Sequence, residues 1–234
     1  WAADGVTPTY APISFHAGGI AWYGAYLYVS DTAHGFRVFD MTKMMRVSTG
    51  KKNSVGYTSG DEYHAFGYKY VVPQVNRHKL CTTSCCARFS FVSVDRTSSP
   101  PVLVSGAYTD ANKNGRLHRW ALDPATKRLV TTQGVATPTK LLFPGAIRMQ
   151  GAMSAYGIYF ISSSDPKTSF LPAPGTLLHG WVGGGVMVEH GYPMLPEDLH
   201  YSSFSDNIWS VTEYPGIRDV FTVKRSSMLY GCGN

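Results

Sequence analysis

The chain has 234 residues, of which 44% are hydrophobic and 13% aromatic, and it carries a net charge of +6. That is enough apolar material for a sizeable core, and a barrel or propeller of this length is commonly one domain, so a single domain over 1–234 is expected. The basic residues fall in separate groups (Lys51-Lys52, Arg77-His78-Lys79 and Lys224-Arg225) with no interleaved stacking aromatics, which argues against nucleic-acid binding. No long uncharged apolar run is present that would span a membrane as a helix.

Tyr, Phe and Trp are plentiful while Glu is scarce, and no segment keeps an apolar stripe at helical spacing, so strands are expected throughout. Residues 1–15 read as a Pro-containing lead-in, an extended strand that would close a ring. Residues 16–40 read as strand, turn and strand. Residues 41–62 hold a polar stretch, Ser48 to Gly60, and read as a loop with one helical turn. A strand follows over 64–75, with Phe66-Gly67-Tyr68-Lys69-Tyr70-Val71-Val72 stopped by Pro73. After a cysteine-containing loop comes the alternating run Arg88-Phe89-Ser90-Phe91-Val92-Ser93-Val94, broken by Ser98-Ser99-Pro100-Pro101. The later stretches 163–175 and 183–196 are rich in Gly, Pro and Ser and read as loops.

A decayed repeat runs through these elements. Each copy is a β-rich run ending in a Val-Ser-like step, then a glycine turn into a second strand with an aromatic. The steps fall at Ser30, Ser105, Ser162 and Ser210, and the glycines at Gly35, Gly115, Gly175 and Gly216. Repeated antiparallel strands of this kind predict an all-β fold, a β-propeller. The first interval, Ser30 to Ser105, is the longest and holds an extra strand pair near Tyr68, so five blades are expected. A six-bladed ring or a β-sandwich is the alternative.

Propellers place the start of each innermost strand near the central axis. The polar residues at those entrances are read as His16, His64, Gln150 and Glu197 with Asp198, flanked by glycines that let a ligand approach the backbone. Two imidazoles, an amide and carboxylates could hydrogen-bond a polar ligand or hold a divalent cation, with His16, His64 and Glu197 as the ligands. Each could equally satisfy backbone groups or channel water. Glu197 and Asp198 are neighbours on a strand, point to opposite faces and make a poor acid/base pair.

Glu213 and Arg218 flank a Pro-Gly turn and are expected to close it as an ion pair, with a ligand role for Glu213 as the rival. Asp110-Ala-Asn112-Lys-Asn114-Gly115 resembles the opening of a calcium loop, but Ala121 stands where the twelfth-position Glu belongs, so a tight hairpin is expected. No nucleophile elbow, P-loop, HExxH or dinucleotide fingerprint is present, and Gly183-Gly184-Gly185 lacks the lysine of a phosphate cradle.

The four cysteines, Cys81, Cys85, Cys86 and Cys232, are compatible with two disulfides. Because the vicinal Cys85 and Cys86 rarely bridge each other, Cys81 is expected to pair with one and Cys232 with the other. A zinc site is the rival reading. Disulfides imply an oxidising, extracytoplasmic compartment. The chain begins at Trp1 without a signal peptide, any such segment being already absent from this sequence.

The segments HAGGIAWYGAYLYVSDTAHGFRVFD, HAFGYKYVVPQ, RFSFVSVDR, PEDLHY and IWSVTEYPGIR together resemble a group of secreted propeller-like proteins from actinobacteria and some fungi. The resemblance runs over most of the chain and implies secretion and a propeller fold, with a lectin-like role described for related propellers. It implies no catalytic residue. Members of that group begin upstream of Trp1, so completeness of the first blade stays open.

Two functions follow as expectations. One is a non-enzymatic, carbohydrate-binding module in which exposed aromatics such as Trp22, Tyr23, Trp120, Trp181 and Trp209 stack on sugar faces. The other is a metal-dependent hydrolase or lactonase on the axis, where a cation would lower the pKa of water. A protein-docking scaffold would show neither property.

Overall fold

The computed structural model describes residues 2–3 (backbone only), 7–79, 88–109, 115–164, 174–181, 187–216 and 218–229. The four cysteines, the Asp110–Asn114 stretch and Gly183–Gly185 lie outside the described residues.

The fold is all-β, with strands gathered into a four-blade propeller arrangement. The first blade holds Ala17–Tyr23, Tyr26–Asp31, Gly35–Asp40 and Gln74–Lys79, antiparallel from one edge to the other. The second holds Phe89–Asp95, Val102–Ala107, Leu117–Ala121 and Lys140–Leu142. The third holds Met149–Ala155, Ile158–Ser163, Gly175–Trp181 and Val188–Tyr192. The fourth has three described strands, His200–Ser202, Asn207–Val211 and Val220–Lys224, followed by the short helix Arg225–Leu229. In each of the first three blades the first strand lies against the first strand of the next, which makes these the innermost strands.

The repeat marks the second strand of every blade. Ser30, Ser105, Ser162 and Ser210 are all buried there. All four satisfy backbone or indole groups: Ser30 Oγ donates to the Gly19 carbonyl at 3.5 Å, Ser162 Oγ to the Glu197 carbonyl at 2.8 Å, Ser210 Oγ to the same carbonyl at 3.4 Å, and Ser105 Oγ accepts from Trp120 Nε1 at 3.0 Å. A hydroxyl serves here because a buried polar group costs little once it is hydrogen-bonded.

The blade count differs from the five expected. The stretch around Tyr68 does not build a blade sheet. It belongs to an excursion, residues 41–73, between the third and fourth strands of the first blade. The excursion opens with the single 3-10 turn Met41–Lys43 and contains two small sheets, Met45–Arg46 with Tyr70–Val71 and Val55–Tyr57 with Tyr63–Ala65. Strands of two and three residues broken by the polar Ser48–Gly60 stretch are too short to fill a blade. Its ends meet, since the Asp40 N–H donates to the Pro73 carbonyl at 3.2 Å.

Apolar cores fill the seams between consecutive blades. Tyr28, Phe36, Val92, Leu103 and Trp120 pack the first against the second. Phe91, Val104, Met149, Tyr159 and Ile161 pack the second against the third, and Met153, Phe160, Leu177, Tyr201 and Ile208 the third against the fourth. Polar staples cross the same seams: Ser93 Oγ donates to the Ala152 carbonyl at 2.7 Å, and Ser154 Oγ to Asp95 Oδ2 at 2.6 Å, with Arg119 3.6 Å from that carboxylate.

Candidate functional site at the propeller axis

The innermost strands share a defect that builds the site. In the first, Ala17 pairs with Asp31 but Gly19 with Ser30; in the second, Phe89 pairs with Ala107 but Phe91 with Gly106; in the third, Met149 pairs with Ser163 but Gly151 with Ser162. In the fourth, Pro196 bridges Thr212 while His200 pairs with Trp209, the same one-residue slip. One extra residue per strand is a β-bulge, which bends the strand and re-aims a side chain. The extra residues are Gly18, Ser90 and Gln150 in the first three blades, and Glu197 stands one position before the slip in the fourth.

All four line a cavity of about 440 Å3 at this end of the axis. Its wall is completed by His16, Thr32, Arg88, Tyr108, Thr212, Glu213 and Arg218, among others. Ser90 Oγ is committed to the Met149 carbonyl at 2.9 Å and His16 Nδ1 lies 2.8 Å from Thr32 Oγ1. The side chains of Arg88, Gln150, Glu197 and Glu213 make no hydrogen bond to protein among the described residues. Donors and acceptors from three blades therefore converge on one space with their bonding capacity open.

Burial pushes the Glu197 carboxyl up to about 7, reinforced by the neighbouring Glu213 and opposed by Arg218. Glu197 is thus near half-protonated at neutral pH, able to donate as well as accept. Beneath it, Asp198 anchors the innermost strands. Its Oδ2 accepts from the Ile20 N–H at 3.1 Å and the Val92 N–H at 3.4 Å, and its Oδ1 from the Leu199 N–H at 2.9 Å. Burial pushes this carboxyl well above the usual range, against the pull of those three donors. Glycine at position 19 is required by this contact, because a Cβ there would stand 2.4 Å from Asp198 Oδ2 and 2.8 Å from the Phe91 Cα.

Of the residues read from the sequence, His16, Gln150, Glu197 and Glu213 all line the axial cavity. His64 does not. It sits in the excursion, paired with Gly56, fully buried, with Nε2 3.3 Å from Glu62 Oε2. The cation set His16, His64 and Glu197 is therefore not assembled, and among the described residues no group of three or more His, Cys, Asp or Glu is arranged to hold a metal ion. The second blade's true counterparts of His16 and Gln150 are Arg88 and Ser90. The run beginning at Arg88 was legible as a strand, and aligning it with the other entrances would have found them.

Trp22 lies toward the far end of its strand, 54% exposed, with Nε1 donating to the Gly24 carbonyl at 2.8 Å. Trp120 is a packing residue, 3% exposed and edge-on to Phe36. Tyr23 is likewise buried, while Trp181 and Trp209 are exposed away from the cavity, whose aromatic ring is Tyr108. The expected Glu213–Arg218 ion pair is replaced by a bond from Arg218 Nε to the Glu213 carbonyl at 3.0 Å, which closes the turn and leaves the Glu213 carboxylate unbonded.

No protein-family model and no curated protein matches the chain. Among solved structures, the computationally designed Ika4 protein is similar over 91% of this chain and 94% of its own, at 12% identity and a TM-score of 0.38. The designed Ika8 protein is similar over 88% of this chain and 70% of its own, at 13% identity and a TM-score of 0.31.

Proposed function

We propose that this chain is a non-enzymatic binding module that seats a sugar, or a similarly polyhydroxylated molecule, in the axial cavity. The observation that carries this reading is the convergence of Arg88, Gln150, Glu197 and Glu213 on one space with no hydrogen bonds to protein among the described residues. A guanidinium, an amide and two carboxyls offer the mixed donors and acceptors that hydroxyl groups need. Tyr108 supplies a ring on which a sugar face could stack.

Titration calorimetry against a panel of neutral oligosaccharides tests it. At least one member binds with one-site stoichiometry, and Arg88→Ala or Gln150→Ala weakens it by about tenfold or more, the loss of one hydrogen bond to a charged or polar partner. Absence of binding across the panel, or binding indifferent to both substitutions, overturns the reading.

A second reading, hydrolysis in the same cavity, draws on the Glu197 carboxyl, pushed up to about 7 by burial, with a second carboxylate, Glu213, on the same wall. Turnover of a bound oligosaccharide, lost in Glu197→Gln, would favour it over simple binding. Secretion, disulfide bonding of the four cysteines and kinship with the secreted propeller-like group belong to the same proposal. Intact mass before and after reduction checks the cysteines.

A further inference from the structure

A second cavity, of about 510 Å3, lies outside the axis, between the lead-in, the outer part of the first blade and the excursion. Its wall includes Phe15, Phe39, Met45, Phe66, Tyr68 and Tyr70, with prolines and aliphatic residues between. None of its lining residues among those described is charged, in a chain with 21 Lys and Arg and 15 Asp and Glu. Its polar atoms are partly committed to the protein: the Tyr10 hydroxyl donates to the His64 carbonyl at 2.8 Å, and the Gln74 side-chain carbonyl accepts from Arg37 at 3.0 Å. A polyol placed here would lose water from its hydroxyls with few partners in exchange, which is unfavourable.

An independent observation points to the same place. Phe66 has φ of 53° and Gly67 φ of 83°, and the Tyr68 N–H donates to the Ala65 carbonyl at 2.8 Å, so Phe66 fills a turn position with left-handed backbone. Such positions favour Gly, Asn or Asp, and a bulky side chain there stores roughly 1–3 kcal/mol of strain. Packing does not explain the choice, because Phe66 is 49% exposed and lines the cavity. The left-handed backbone thus places a half-exposed aromatic residue on the cleft wall.

We propose that this cleft is a second binding site, separate from the axial cavity, for a small uncharged aromatic molecule held by ring stacking and apolar contact. Its volume falls within the range of small-molecule sites, roughly 300–1,000 Å3. The absence of charge on its wall matches an uncharged ligand.

The neutral dye N-phenyl-1-naphthylamine tests this directly by fluorescence titration of the whole chain. Saturable one-site binding is expected. Phe66→Asn should weaken it about tenfold or more, one ring's share of the contact, while raising Tm, since Asn accepts the left-handed backbone. Met45→Trp, which fills the cleft, should abolish binding, and Trp22→Ala, an exposed apolar residue elsewhere, should leave it unchanged. The assignment is overturned if the dye does not saturate, if Phe66→Asn lowers Tm with dye binding intact, or if Met45→Trp binds as the parent does. Retention of axial oligosaccharide binding in Phe66→Asn separates this site from the first.

Discussion

Glu197 is the residue whose chemistry reaches furthest. Its carboxyl is pushed from about 4.5 to about 7, first by burial and then by Glu213. The folded state therefore holds the proton more tightly than the unfolded chain does. The stability associated with that proton is fully present below about pH 4.5 and is lost as pH rises through about 7. Buried histidines work in the opposite sense, His118 being lowered to about 4 by burial, so the raw pH profile mixes the two. The comparison that isolates Glu197 is the parent against Glu197→Gln, whose amide stays neutral. The difference in Tm, Gln variant minus parent, should grow as pH rises from about 4.5 to about 7 and then level off. A difference that is flat across this window would mean that the carboxyl is solvated and ordinary. Because Gln150 lines the same cavity with no titratable group, the same scan on Gln150→Ala should show no such window.

Elements carry the next level of information, and the first blade's excursion shows where sequence reading succeeds and where it stops. The Val-Ser steps were visible because each second strand is buried in its blade and must be apolar and β-branched, with one hydroxyl that pairs locally; Ser105 with Trp120 and Ser162 with Glu197 are examples. Alternation likewise marked Arg88 to Val94 as a strand. His64 was misplaced because His-Ala-Phe-Gly mimics His-Ala-Gly-Gly locally, while only long-range pairing reveals that one is a turn in an insertion and the other a bulged innermost strand. The bulges themselves, which aim Gln150 and its counterparts, leave no local signature beyond a nearby glycine. The insertion is separable on physical grounds, since Asp40 and Pro73 already meet through a 3.2 Å hydrogen bond. Replacing 42–72 with a short Gly-Ser linker should leave cooperative unfolding and axial ligand binding intact, and should abolish dye binding in the second cleft. A chain that no longer unfolds cooperatively would show instead that the insertion supports the first blade. The contacts with the lead-in that would be lost include the ring stack of Tyr10 on Tyr63, centroids 6.0 Å apart, and the bonds from the Tyr10 hydroxyl to the His64 carbonyl at 2.8 Å, the Tyr63 hydroxyl to the Pro8 carbonyl at 2.7 Å and the Tyr57 N–H to Thr9 Oγ1 at 2.9 Å.

At the scale of the whole molecule, the seams differ. Three are filled by buried clusters, whereas the faces turned away from them on the first and fourth blades carry Ile20 at 58%, Trp22 at 54%, Trp209 at 42% and Val220 at 70% exposure. One residue type therefore occupies two environments, which makes a controlled comparison. Trp120 is 3% exposed, packs on Phe36 and Phe89 and donates to Ser105, so Trp120→Ala removes a buried ring and leaves a cavity and an unpaired hydroxyl. Truncations of that kind cost about 3–5 kcal/mol. Trp22→Ser and Trp209→Ser remove rings that are already near half in water, and each should cost less than about 1 kcal/mol. Urea unfolding of the three variants measures the contrast, through shifts in midpoint at constant slope. If Trp22→Ser or Trp209→Ser costs as much as Trp120→Ala, those faces are covered in solution, by each other or by another sheet. If the costs separate as expected, the arrangement is held by three packed seams. The tie between its first blade and its last would then rest on contacts at the axis, where the Asp198 carboxyl accepts the Ile20 N–H.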